Sequence, residues 1–231
     1  MTPPPEPAGA GATGTAVPDG PASARIADGL RGQILGGELR PGTRIRQEEL
    51  AREFGASRLP VRDALRLLEA EGLVRLVANT GAWVASLSLQ ECTEAYLVRE
   101  RLEPLLLAQS IPHLTPETVT RLGELATAME GADLETFLRL DREFHLLSFS
   151  AAPTPMLRDM VLRLWNTTQH YRRAYAVLVD VASSPVTHAE HHLLVDAIAR
   201  RDTENAELVQ QLHIRRTRVE LARHPEVFDT E

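Results

Sequence analysis

Asp141 and His145 stand four residues apart in DREFH, the spacing that puts two side chains on one face of a helix. A carboxylate and an imidazole so placed can chelate one cation. Phe137, Leu138 and Phe144 flank them, so the pair points partly inward. His191 in EHHLLVDAIARRD and His213 on the last helix can complete a set of three imidazole nitrogens and one carboxylate oxygen. That mixture suits a borderline divalent ion such as zinc, nickel or manganese. His188 and His192 are neighbours of His191; His192 lies about 100° further round a helix, which favours His191. The plain alternative is that each is a core histidine satisfied by its surroundings. Tyr171 is followed by Arg172 and Arg173, and either offers a clamp for the carboxylate of a small organic acid held at such a metal.

A second constellation lies in RIRQEELAREFGASRLPVRDALRLLEAEGLV, residues 44–74. Arg58, Arg62 and Arg66 recur every four residues along one stripe, while Val61, Ala64, Leu65 and Leu68 line the opposite face. A short helix and a tight turn precede this one. Guanidinium groups in register on a helix held clear of its partner suit the major groove of DNA. An isolated arginine stripe is more often a solvated face; the tight turn before it and the hairpin pattern after it favour DNA.

The elements that must position these residues can be read from punctuation and periodicity. Residues 1–22 are rich in Pro, Gly, Ala and Thr and are expected to be a disordered tail. From Ser23, Ile26, Leu30, Ile34 and Leu35 make a helical stripe that stops at Gly36-Gly37. Pro41-Gly42 leads into a second helix, about Gln47 to Phe54. Ser57 is placed to cap the third, where Pro60 is tolerated in the first turn. Gly72 ends that helix, and Leu73–Val77 and Ala82–Ala85 read as two strands joined through Ala78-Asn79-Thr80-Gly81, a hairpin or wing.

Thereafter the pattern is wholly helical. Ser88 with Glu91 forms a capping box for a helix to about Gln109. Thr115-Pro116 starts another, with Val119, Leu122, Leu125 and Met129 inward, and Asp133 begins a third. Pro155 opens a long helix through Leu164 and Tyr171, Thr187 with Glu190 reads as a second capping box, and a last helix covers about Thr203 to Ala222. The expected fold is mainly α: a winged helix-turn-helix unit over 23–86 and an all-α helical bundle over 87–225.

Composition agrees with two units of different character. The chain has 231 residues, 43% hydrophobic and 25% charged, with a net charge of −7. Residues 25–86 hold ten arginines against eight acids, and residues 87–231 hold fifteen against 22, so the positive balance sits with the arginine stripe. All cations are arginine. No apolar run approaches the roughly 20 residues that span a bilayer, no signal sequence opens the chain, and the lone Cys92 excludes an internal disulfide framework, so the cytoplasm is the expected compartment.

The segment PGTRIRQEELAREFGASRLPVRDALRLLEAEGLVRLVANTGAWVA resembles the winged-helix DNA-binding domain of GntR-type bacterial transcription regulators, and the remainder, with DREFH and EHHLLVDAIARRD, resembles the FadR-type (FCD) effector domain. The resemblance implies DNA contacts by Arg58 and Arg62, a phosphate contact by Ser57, and a wing tip at Gly81 that enters the minor groove. It implies a metal bound by Asp141, His145, His191 and His213, and an effector pocket faced by Arg99. Two departures remove positive charge: Glu48 stands where many relatives have arginine, and Thr80 where the wing carries Arg or Lys before its glycine. Each lost phosphate contact should flatten the salt dependence by about one unit of slope, giving a different operator and weaker non-specific binding.

Together these features imply a ligand-responsive repressor, a homodimer on a palindromic double-stranded operator, released or modulated by a small carboxylate bound at the metal. The competing reading, a metal-dependent hydrolase or lyase fused to a DNA-binding head, lacks any nucleophile or general-base signature such as HExxH or GxSxG.

Overall fold

The computed structural model describes residues 22–78 and 80–228; the expected tail lies, through residue 21, outside them. Helix α1 (Ala22–Leu35) buries Ile26, Ala27 and Leu30. It stops where Gly37 takes φ +82°, with the Glu38 N–H bonded back to the Gln33 carbonyl at 3.0 Å. Helix α2 (Gln47–Glu53) and helix α3 (Arg58–Ala70) follow. The alternation in α3 appears as expected: Val61, Ala64, Leu65 and Leu68 are all fully buried. Ser57 occupies the N-cap position of α3, but its hydroxyl makes no cap hydrogen bond, and the residue stands exposed instead.

The wing is a three-stranded antiparallel sheet rather than the expected two-stranded hairpin. Strand β1 (Arg44–Ile45) pairs with β3 (Gly81–Val84), which also pairs with β2 (Val74–Val77), in the order β1-β3-β2. Arg44 lies opposite Trp83 and Ile45 opposite Ala82. Two residues carry no periodicity, so β1 exists only through its partner. Ile45, Val74, Ala82 and Val84 join the α1–α3 side chains in one apolar core.

Six α-helices form the second unit among the described residues: α4 (Leu89–Ser110), α5 (Pro116–Met129), α6 (Leu134–Ser148), α7 (Pro155–Leu178), α8 (Pro185–Ala199) and α9 (Thr203–Leu221). The Ser88–Glu91 capping box is formed in both directions, and Asp133 caps α6 through Thr136 N–H. Helix α8 starts earlier than expected. Ser184 is its N-cap, accepting from Thr187 N–H, with Pro185 at the first helical position. Thr187 and Glu190 are therefore buried inside α8, not a capping box at its start. A separate core, with Tyr96, Phe144, Trp165 and Tyr171 among its largest buried side chains, fills the bundle.

Helix α7 joins the two units. Arg163 Nη1 donates to the Ala70 carbonyl (3.1 Å), Asn166 Nδ2 to Glu71 (3.0 Å) and Thr167 Oγ1 to Gly72 (3.1 Å). Carbonyls at a helix C-terminus lack intrahelical partners; α7 satisfies those of α3. Arg173 does the same for α1 through the Gly36 carbonyl at 3.0 Å. Gly72, at φ +78°, has no room for more: a Cβ there would stand 2.5 Å from Thr167 Oγ1. Tyr171 Oη accepts from Leu87 N–H (2.7 Å) and donates to the Leu87 carbonyl (2.8 Å), pinning the connecting segment. No helix among the described residues is long and apolar enough to cross a membrane.

Candidate functional site

Two constellations stand out, one on each unit. On α3, Arg58, Arg62 and Arg66 are exposed together with Ser57 at the helix start. Arg66 has Asp63 at 3.8 Å. Arg58 Nη2 donates to Glu48 Oε1 of α2 at 2.7 Å, with both side chains about three-quarters exposed. At the wing, Gly81 adopts φ +120°, a conformation that favours glycine. Sequence reasoning missed Arg44. Its Nη2 donates to the Thr80 carbonyl at 3.0 Å, and its guanidinium lies 5.5 Å from the Trp83 ring centre. A cation thus stands beside the wing tip although residue 80 is threonine; only the β1–β3 pairing brings it there.

In the bundle, Asp141 and His145 (α6), His191 (α8) and His213 (α9) each offer one ligand atom, and these four atoms lie within 4.8 Å of one another. Asp141 Oδ1 is 3.1 Å from His191 Nε2 and 3.6 Å from His145 Nε2. The two neighbours of His191 go elsewhere: His192 is exposed and reaches Glu130 at 2.6 Å, and His188 meets the edge of Phe137.

Burial keeps the three imidazoles neutral. Burial is the main force lowering His145 and His213 to about 4, and it holds His191 well below the ordinary value, with the other two histidines adding to the effect there. His191 Nδ1 donates to the Thr187 carbonyl (2.9 Å) and His213 Nδ1 to Glu190 Oε2 (2.7 Å). Each bond fixes the tautomer that leaves Nε2 a lone pair, the usual support around a metal-binding histidine. Glu190 is itself held by Arg216. The donor set fits a divalent ion bound by three neutral imidazoles and one carboxylate.

Arg172 is buried against this cluster, with Nη2 on Asp141 Oδ2, Nη1 on Gln169 Oε1 (2.9 Å) and its guanidinium 4.0 Å from the Trp165 ring centre. Burial lowers it to about 9. Arg99 of α4 is also buried, donating to Glu103 (2.5 Å) and Thr168 (2.9 Å). Arg173 points the other way, as the 100° step of a helix requires, and binds Glu135 and Gly36 at the seam; the structure does not bring it to the cavity. Between Arg99, Arg172, His145 and His213 is a cavity of about 20 Å³, room for one water-sized group. Four buried polar atoms in its wall lack a partner: Tyr96 Oη, Trp165 Nε1, Gln210 Oε1 and His145 Nδ1. Such orphans are costly, and a polar group held in the cavity would relieve those it reaches.

A winged reading head with an arginine stripe, docked on a helical bundle with a buried polar site, defines a DNA-binding transcription regulator. Comparison with known proteins gives the family. Residues 22–84 match the model for bacterial regulatory proteins of the gntR family, and residues 94–216 match the FCD domain. The chain belongs to the gntR family and carries an FCD domain. It is similar to an HTH-type transcriptional regulator in an unstable DNA locus of Streptomyces ambofaciens, 30% identical with 87% of each chain covered. It also resembles the gluconate operon transcriptional repressor of Bacillus licheniformis, 27% identical over 78% of this chain and 76% of the relative. Its fold matches the solved structure of E. coli McbR/YncC, with a TM-score of 0.75, 24% identity, and 88% and 97% of the two chains covered. These relatives are transcription regulators rather than enzymes, and the hydrolase or lyase reading is set aside.

Proposed function

We propose that this chain is a cytoplasmic repressor whose hold on a palindromic operator is modulated by a small carboxylate bound at a divalent metal in the bundle. Residues 23–86 are the reading head and 87–225 the effector and dimerisation unit. Arg58, Arg62 and Arg66 face the major groove, Ser57 meets phosphate, and the wing at Gly81, with Arg44 beside it, reaches the minor groove. Asp141, His145, His191 and His213 hold zinc, nickel or manganese, which supplies a Lewis-acidic grip for one end of the ligand. Arg99 and Arg172 meet its charge from the protein side.

The observation that carries the sensing half is the arrangement of α7. One face puts Trp165 and Arg172 in the cavity wall, with Thr168 and Gln169 bonded to Arg99 and Arg172 of that wall, and the other bears Arg163, Asn166, Thr167 and Arg173 on the carbonyl ends of α3 and α1. A ligand carboxylate competes with Asp141 for Arg172, and a shift of Arg172 displaces the same rigid element that holds the reading helix. A ligand can drive this only through different affinities for the two arrangements, typically about 1–3 kcal/mol. Named relatives that are repressors, including the gluconate operon repressor, favour repression. Packed α4 and α7 expose Leu97, Leu105, Met156 and Met160, apolar surface that a second copy would cover, and two-fold symmetry in the protein is mirrored in its operator.

The test of the reading head is Arg62→Ala in fluorescence-anisotropy titration of a selected duplex. The expected loss is about 1–3 kcal/mol, read as a relaxed preference at one base pair. Unchanged binding by both Arg62→Ala and Arg58→Ala would overturn the assignment of α3.

A further inference from the structure

The Glu48–Arg58 pair is not explained by stability. Both side chains are about three-quarters exposed, where an ion pair contributes little. It joins two helices at the face that the proposed reading turns toward DNA, and there a carboxylate is repelled by phosphates unless it accepts a hydrogen bond from a base. Among base edges in the major groove, the cytosine N4 amino group is the donor that Glu and Asp accept from.

We infer that Glu48 is a specificity-determining residue: with Arg58 it forms one reading unit, Arg58 on a guanine and Glu48 on the N4–H of a cytosine in an adjacent base pair. The geometry gives each partner a share in the task. Arg58 donates to Glu48 through one Nη2 hydrogen, which orients the guanidinium and leaves the other Nη2 hydrogen and Nη1 as an end-on fork for guanine O6 and N7. Glu48 accepts at Oε1, leaving Oε2 for the cytosine amine. The carboxylate also works by exclusion, because a thymine O4 at that place would set two acceptors against each other. This inference rests on α3 being the reading helix.

The experiment is selection of duplexes from a random library by the full-length chain, as wild type, Glu48→Ala, Glu48→Gln, Arg62→Ala and Arg58→Ala, followed by titration of single-base variants at two salt concentrations. Wild type should select a cytosine next to a guanine in each half-site. Glu48→Ala should lose about 10-fold of the preference at that cytosine while binding random duplex more tightly, since a negative charge has left the face. Glu48→Gln should move the preference toward adenine, whose N6 and N7 a glutamine can pair. Both Glu48 variants alter an exposed side chain, so folding is not at issue. Selection of an unchanged sequence with unchanged preferences by Glu48→Ala would overturn the inference while leaving the reading helix intact. If wild type selects no sequence, or Arg62→Ala and Arg58→Ala both select as wild type does, the reading helix itself is wrong and this inference falls with it.

Discussion

Replacing Asp141 by asparagine separates two duties of one carboxylate. Its Oδ2 accepts from the buried Arg172, and its Oδ1 lies 3.1 Å from His191 Nε2, within the four-residue cluster. Asp141→Asn keeps the shape and removes the charge, leaving Arg172 in the interior without its counter-ion. Breaking a buried pair from one side costs about 3–5 kcal/mol. Gln169 at 2.9 Å and the Trp165 face remain as partners, so the lower end applies. At about 2–4 °C per kcal/mol for a chain of this size, the metal-free variant should melt about 6–12 °C below wild type. A metal at 100 times its dissociation constant adds about 2.7 kcal/mol to a protein that binds it, a rise of about 5–11 °C by the same conversion. Calorimetry of untagged protein, chelated and then supplied with zinc, nickel or manganese, should show that rise in wild type and none in Asp141→Asn. Asp141→Asn/Arg172→Met should recover the metal-free loss without recovering the response to metal. An equal rise in both proteins would deny the carboxylate its place at the metal, and a metal-free variant that melts with wild type would deny its hold on Arg172.

Two other outcomes come from the same geometry. Metal-free protein should lose stability as pH falls from about 6.5 toward 4. His145 and His213 are lowered to about 4 and His191 is held well below its ordinary value when folded, so the unfolded chain takes up protons that the native state refuses. Stability is then full above about 6.5, and three such groups give a slope of up to about 4 kcal/mol per pH unit; a flat urea midpoint from pH 7 to 5 would contradict it. Gly72→Ala should cost about 1–2 kcal/mol for the left-handed backbone alone, and its methyl group must part Thr167 and Arg163 from α3. Amide exchange should rise along the seam at residues 70–72 more than in the bundle core, and protection equal to that of wild type would exclude the contact.

The parts of the molecule that were legible from sequence are those with local causes. The 3.6-residue alternation of α3, the glycine stops at Gly37 and Gly72, and the Ser88–Glu91 box each depend on near neighbours. The spacing of Asp141 and His145 fixed their common face, and the angular step from His191 to His192 separated the buried ring from the exposed one. What escaped depends on partners from far along the chain. Strand β1 exists because Trp83 and Ala82 lie opposite it. Thr187 and Glu190 imitate a capping box, yet Ser184-Pro185 starts the helix one turn earlier, and those two polar side chains are buried because Arg216 and His213 come from α9 to meet them. Arg173 looked equivalent to Arg172 until the helix turned it to the seam. The pairing of Glu48 with Arg58, ten residues apart on two helices, leaves no local trace at all.

Control of the reading head by the buried site, through α7, is the proposal on which the rest depends. The decisive quantity is the dissociation constant of the selected duplex, measured with chelator, with zinc alone, and with zinc plus a short hydroxy acid such as citrate, for wild type and Asp141→Asn. Wild-type affinity should change about 5- to 150-fold on ligation while Asp141→Asn does not respond. Equal affinity in all three conditions, with calorimetry showing the same metal and acid bound to wild type, would mean that site and reading head are not coupled.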